Sequence, residues 1–245
     1  SKLITVIRKN VRISYESARE LQFSFRDTAN SSEKLFITSK DLNKSFTELA
    51  NTTGLISDFG GDTLITFTTL NKQLGLGVKA SSQLALLART QGEDTEGILE
   101  NTVETVNATN RLNRTSISAK VVLNDIATAS KSIVVSLGMS PEILAEAATE
   151  ARALGLNLEA VDKIASSLLN FESSIAAELE AELLLGQDIN LEKARQAALT
   201  NDLATLSQEI GKNEGVINAF ATGNRIQQEA AAKALGLNRD TLAEM

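Results

Sequence analysis

Residues 153–186 read ALGLNLEAVDKIASSLLNFESSIAAELEAELLLG, and this stretch decides the fold class. It opens on Leu154-Gly155-Leu156 and then sets Val161, Ile164, Leu168, Phe171, Ile175 and Leu179 at steps of 3, 4, 3, 4 and 4. Apolar residues at that spacing lie on one face of an α-helix. The steps form a heptad seam with one slip, so the expectation is a single coiled-coil-like helix over 157–185, ~40 Å long at ~1.5 Å per residue. A seam of that length suits a second copy of the chain as well as an internal core. The six residues are therefore candidates for self-association.

Working outward, the Leu-Gly-Leu or Leu-Gly-Met tripeptide recurs at Leu74-Gly75-Leu76, Leu137-Gly138-Met139 and Leu235-Gly236-Leu237. Gly75, Gly138, Gly155 and Gly236 read as helix C-caps. Glycine enters the left-handed conformation without a Cβ penalty, and the apolar residue after it folds back on the last turn. Three of these stops run straight into start signals. Ser140-Pro141-Glu142 offers an N-cap, a proline at the first helical position and an acid near the positive helix end. Asn157-Leu158-Glu159 and Asn238-Arg239-Asp240 do the same without proline. Gly186 followed by Asn190-Leu191-Glu192 is a looser version.

The chain thus reads as an all-α protein of several helices joined by short Gly-capped turns. Leu42, Phe46 and Leu49 share a face with Leu35, with Ser31 or Ser32 as the expected cap and Gly54 as the stop. Leu64, Phe67, Leu70 and Leu74 form the next stripe, and Leu84, Leu87 and Ala88 a short helix ended by Gly92. Leu99, Val103 and Val106 begin another. The polar stretch 107–118 predicts a loop. A second long helix is expected over about 191–210, on Leu191, Leu199, Leu203, Leu206 and Ile210. Leu3, Ile4, Val6, Ile7, Val11 and Ile13 fit helix or strand, with helix favoured. Three segments follow: 1–73, 74–138 and 139–245.

Composition agrees. Aromatic residues make up 4% of the chain, with no Trp, and there is a single Pro, which favours helices packed through Leu, Ile and Ala over sandwiches or barrels. The sequence starts at Ser1 without a leader pattern, which reads as a fragment or processed product. Its longest uncharged runs, 132–141 and 215–224, are about half of what crosses a bilayer. Charge is uneven. Residues 1–30 carry six basic against three acidic residues, whereas 139–245 carry eight against seventeen. No basic stripe is present to meet a phosphate backbone, so direct nucleic-acid recognition is not expected.

Residues for chemistry are sparse. The chain has no His and no Cys, which removes imidazole bases, Ser-His and Cys-His pairs, thiolate metal sites and disulfides. No enzyme activity, cofactor or metal is expected. Glu172, Glu178, Glu180 and Glu182 form an acidic cluster in which Glu178 and Glu182 share a helix face. It reads as a solvated face or one that meets basic residues of a partner. Ser31-Ser32-Glu33-Lys34 has a Ser-x-x-Lys spacing without companion motifs, and Gly75-Leu76-Gly77 lacks the rest of a phosphate loop.

Four segments, 153–161 (ALGLNLEAV), 171–175 (FESSI), 178–184 (ELEAELL) and 190–199 (NLEKARQAAL), resemble tail tape measure proteins of tailed bacteriophages. The resemblance extends over roughly 74–245 and is clearest over 153–210. It implies a structural virion protein that self-associates in the tail lumen or tip, sets tail length and is released at genome ejection. The implied partners are copies of itself and the tail tube, hub and baseplate proteins, after synthesis in the host cytoplasm. The sequence departs from a measuring rod, which calls for nearly uninterrupted helix, because glycine stops recur. That departure points to a folded end domain held at the tail tip or hub. Alternatives are an internal virion protein ejected with the genome, or a helical binding module such as an adhesin or receptor stalk.

Overall fold

The computed structural model describes residue 5 and residues 14–31, 37–54, 59–72, 74–92 and 95–243. Among them are fifteen α-helices and no strand, so the chain is all-α. The apolar residues Leu3, Ile4, Val6, Ile7, Val11 and Ile13, and the Ser32-to-Lys34 stretch, lie outside the described residues. The helices fall into two compact units, Ser1–Asn101 and Thr102–Met245.

The first unit holds α1 (Tyr15–Ser31), α2 (Ser39–Thr53), α3 (Gly61–Lys72) and α4 (Val78–Gln91); α5 (Thr95–Asn113) contains the division. Its core is the phenylalanine trio Phe25, Phe46 and Phe59, with ring centroids 5.4 and 6.1 Å apart, surrounded by Leu42, Leu49, Leu64 and Phe67. The cap of α2 is Thr38, not Ser31 or Ser32. Thr38 Oγ1 accepts from Asp41 N–H at 3.2 Å while the Asp41 carboxylate accepts from Thr38 N–H at 3.0 Å, a reciprocal capping box. Ile37 before the cap and Leu42 four residues into the helix are both buried, in the positions of a hydrophobic staple. Gly54 ends α2 in the left-handed conformation, at φ 70°.

The second unit contains α6 (Ala119–Thr128), α7 (Lys131–Ser136), α8 (Pro141–Ala153), α9 (Leu158–Leu168), α10 (Phe171–Leu185), α11 (Glu192–Leu199), α12 (Leu203–Gly211), α13 (Glu214–Thr222), α14 (Arg225–Ala234) and α15 (Arg239–Ala243). α8, α9, α11 and α12 pack together, α6 lies against α8, and α10 pairs with α14. Asp125 on α6 and Arg152 on α8 form a two-pronged ion pair at 2.5 Å, which fixes that contact. The carboxylate is nearly buried, and it raises the pKa of the Arg152 guanidinium.

The glycines of the four stops all sit at positive φ: Gly75 at 62°, Gly138 and Gly236 at 70°, and Gly155 at 79°. After Gly138, Gly155 and Gly236 the next N–H closes a six-residue ring: Met139 to Val134 O, Leu156 to Ala151 O and Leu237 to Ala232 O, each at 2.9 Å. Gly236 is also a close-approach site, since a Cβ there would lie 2.0 Å from Ser167 Oγ.

Three expected elements differ. The helix over 157–185 is two helices, α9 and α10, parted at Leu169 and Asn170; Asn170 leaves helical geometry at ψ 77° and its carbonyl starts α10 by accepting from Ser174 N–H at 2.8 Å. Ser166, Ser167 and Asn170 all compete with the helical backbone for hydrogen bonds, which weakens this turn. The helix over 191–210 is also two, α11 and α12. Asn201 takes the left-handed conformation at φ 56°, and Asp202 caps α12 through Thr205 N–H at 2.9 Å. The loop over 107–118 shrinks to 114–118, because α5 runs on to Asn113. Asn110 holds the short turn, accepting from Ile117 N–H at 2.9 Å and donating to Ile117 O at 2.8 Å.

Candidate functional site: the outward face of α10

The break at Asn170 splits the six-residue seam between two environments. Val161, Ile164 and Leu168 are fully buried in the core of the second unit. Phe171, Ile175 and Leu179 are 49, 45 and 55% exposed, and Leu183, the next residue on that stripe, is 86% exposed. The seam is therefore half core and half surface.

What α10 turns inward explains this. Its buried residues are Ser174, Ala177, Glu178 and Ala181, at helical spacing. Ser174 and Glu178 turn toward α11, and α10 also packs against α14, whose own buried residues are Ala230, Ala231, Ala232 and Ala234. Small residues on both helices let the backbones approach closely, and the larger apolar side chains of α10 are left on the far side. A row of Phe, Ile and Leu on a surface while alanines fill the core reverses the usual partition of large and small apolar groups.

The row borders a groove of about 580 Å³ between α10 and α11, lined by Phe171, Ile175, Leu179 and Leu199 together with Glu178, Glu182, Asp188, Glu192 and Arg195. Leu199 adds another exposed apolar side chain. The acidic cluster sorts itself here. Glu178 is buried and pairs with Arg195, which also donates to Ser174 Oγ at 3.1 Å. The other Glu178 oxygen accepts from Leu191 N–H at 2.8 Å. Glu182 accepts from Ile189 N–H at 3.1 Å and Asn190 N–H at 3.4 Å. Two carboxylates one turn apart on α10 thus satisfy the open N–H groups leading into α11. Glu180 meets Lys233 at 2.6 Å on the exposed side. The cluster is not simply a solvated face: its basic partners, Arg195 and Lys233, come from the same chain.

Glu182 and Asp188 share a hydrogen bond, and their pKa values part. Burial pushes the Glu182 carboxyl up, but the Ile189 N–H, the Asp188 hydrogen bond, the Asn190 N–H and the Arg195 charge together hold it below its ordinary range. Asp188 is raised, first by that hydrogen bond to Glu182 and then by desolvation and the Glu182 charge.

Among the described residues no group of three or more acidic side chains is placed to hold a metal ion, and no helix is long and apolar enough to cross a membrane. Sequence reasoning found the stripe but missed its partition and the capping role of Glu178 and Glu182. The i, i+4 spacing of those two glutamates was the available signal. Compared with known proteins, the chain matches no family, no curated sequence and no solved structure.

Proposed function

We propose that this chain is a structural segment of a phage tail tape measure protein, and that it associates with copies of itself through the outward stripe of α10. The stripe Phe171, Ile175, Leu179 and Leu183 carries the self-association reading: it is exposed, it is apolar, and it lies on a helix anchored from behind by α14. The assignment to a tail protein rests on the sequence resemblance over 153–210. Helices of five to nineteen residues fit a folded end domain at the tail tip or hub better than a measuring rod. Its partners there are the tail tube, hub and baseplate proteins, and its work is packing, not catalysis. Burial of the stripe contributes about 25 cal/mol per Å² of apolar surface removed from water.

Peptide mass spectrometry of purified phage particles from the source tests the assignment. Peptides from 139–245 in intact tails, carried by a gel band well above 26.2 kDa, are the expected result. Their absence from particles would replace the tail reading with a helical binding module.

A further inference from the structure

The groove beside the stripe has a charge as well as a shape. Its floor is Phe171, Ile175, Leu179 and Leu199, and its acidic groups are Glu178, Glu182, Asp188 and Glu192. Arg195, the only cation lining it among the described residues, is already occupied by Glu178 and Ser174. Glu182, Asp188 and Glu192 therefore leave the groove acidic. Pairing α10 face to face with α10 of another copy would bring two such rims together, and like charges at an interface oppose association. An apolar segment edged with basic residues fits instead.

One segment of this chain has that chemistry. Residues 1–13 (SKLITVIRKNVRI) carry Lys2, Arg8, Lys9 and Arg12, no acid, and six large aliphatic side chains. Outside residues 1–14, no thirteen-residue stretch of the sequence holds four basic residues and no acidic one. From Phe171 to Leu183 the stripe runs about 18 Å at ~1.5 Å per residue, a distance that thirteen residues cover even as a helix.

We propose that the α10–α11 groove takes residues 1–13 of a second copy, so that copies join head to tail. This rests on the self-association reading above and names the partner of the same site. A heterologous contact of this kind repeats: each copy offers one groove and one basic segment, which builds rings or chains of copies.

Charge exchange on the full chain tests it by sedimentation velocity, with helical circular dichroism checked for every variant. One variant carries Lys2→Glu, Arg8→Glu, Lys9→Glu and Arg12→Glu. The other carries Asp188→Lys and Glu192→Lys, both at exposed positions. Each alone weakens association at least about tenfold, and an equimolar mixture restores it, because the acidic segment of one variant meets the basic groove of the other. Association of the unmodified chain also weakens as salt rises from about 0.05 to about 0.5 M. Undiminished association of either variant, a mixture that stays dissociated, or indifference to salt would overturn the proposal. Substitution of Ile175 and Leu179 by Ser separates the two readings. If that dissolves the assembly while the charge variants do not, self-association through the stripe stands and the occupant of the groove is another surface.

Discussion

Glu178 on α10 and Arg195 on α11 close an ion pair whose side chains are only 11% and 12% exposed, while Leu191 N–H occupies the other Glu178 oxygen at 2.8 Å. One buried carboxylate thus joins two helices and caps the second. Removing one member of a buried pair leaves the other charge unmatched, which costs about 3–5 kcal/mol. Glu178→Ala and Arg195→Ala are each expected to destabilise by about 3 kcal/mol in urea unfolding, with a double-variant cost well below the sum. Lys233→Ala, which breaks the exposed pair with Glu180, is expected to cost under about 1 kcal/mol. Equal effects at the two pairs would contradict this picture.

Gly138 and Gly236 share a φ of 70° but not a neighbourhood. A Cβ on Gly138 meets nothing within 4 Å, whereas one on Gly236 runs into Ser167. Gly138→Ala is expected to cost about 1 kcal/mol for the left-handed conformation alone. Gly236→Ala adds a steric conflict, for a total of about 2–4 kcal/mol. Thermal unfolding of the two variants side by side separates conformation from packing.

The Glu182–Asp188 pair gives a pH signature with a definite sign. Glu182 is depressed, so its contribution is full above the ordinary carboxylate range and is lost as pH falls through its lowered value. Asp188 is raised, so its contribution is present below its ordinary value and is lost as pH rises through its raised one. Asp188→Asn keeps a hydrogen-bond donor beside Glu182 and removes the second negative charge. Its Tm is expected to match the wild type at about pH 3.5 and to exceed it at about pH 7. A lower Tm for the variant at neutral pH would contradict a raised Asp188.

Thr38→Ala is expected to cost about 1 kcal/mol, since the hydroxyl satisfies Asp41 N–H and its loss opens the capping box at the head of α2. Differential scanning calorimetry of that single variant reads the effect. A change within error would assign the start of α2 to the Ile37 and Leu42 contacts instead.

The helical class and the glycine turns are legible in the residues themselves. Gly155 and Gly236 stand out because glycine alone reaches positive φ cheaply. Arg114, Asn190 and Asn201 use the same region without glycine, at φ 56°, 36° and 56°, and a non-glycine residue at positive φ is harder to read from sequence. Asn110 holds the turn at 114–118 through its two hydrogen bonds with Ile117. The seam looks continuous through Asn170 because its apolar spacing is unbroken, while Ser166, Ser167 and Asn170 compete with the helical backbone for hydrogen bonds. Which side of α10 faces in was equally hidden. Apolar and acidic residues are mixed around that helix, and its orientation follows from an alanine face on α14 more than forty residues away. The capping of Ile189, Asn190 and Leu191 by Glu178 and Glu182 is likewise a contact across a turn, not a pattern in either helix.

Self-association depends on the stripe being a contact between copies. Sedimentation equilibrium of the full chain against a variant carrying Ile175→Ser and Leu179→Ser tests it most directly. Both residues are half exposed and lie opposite the face that meets α14, so the variant keeps its helical content and Tm. The wild-type chain is expected to self-associate and the variant to do so about 100-fold more weakly, as befits the loss of two large apolar groups from an interface. A wild-type chain that stays monomeric at concentrations of about 100 μM, or a variant that associates as tightly as the wild type, would contradict it.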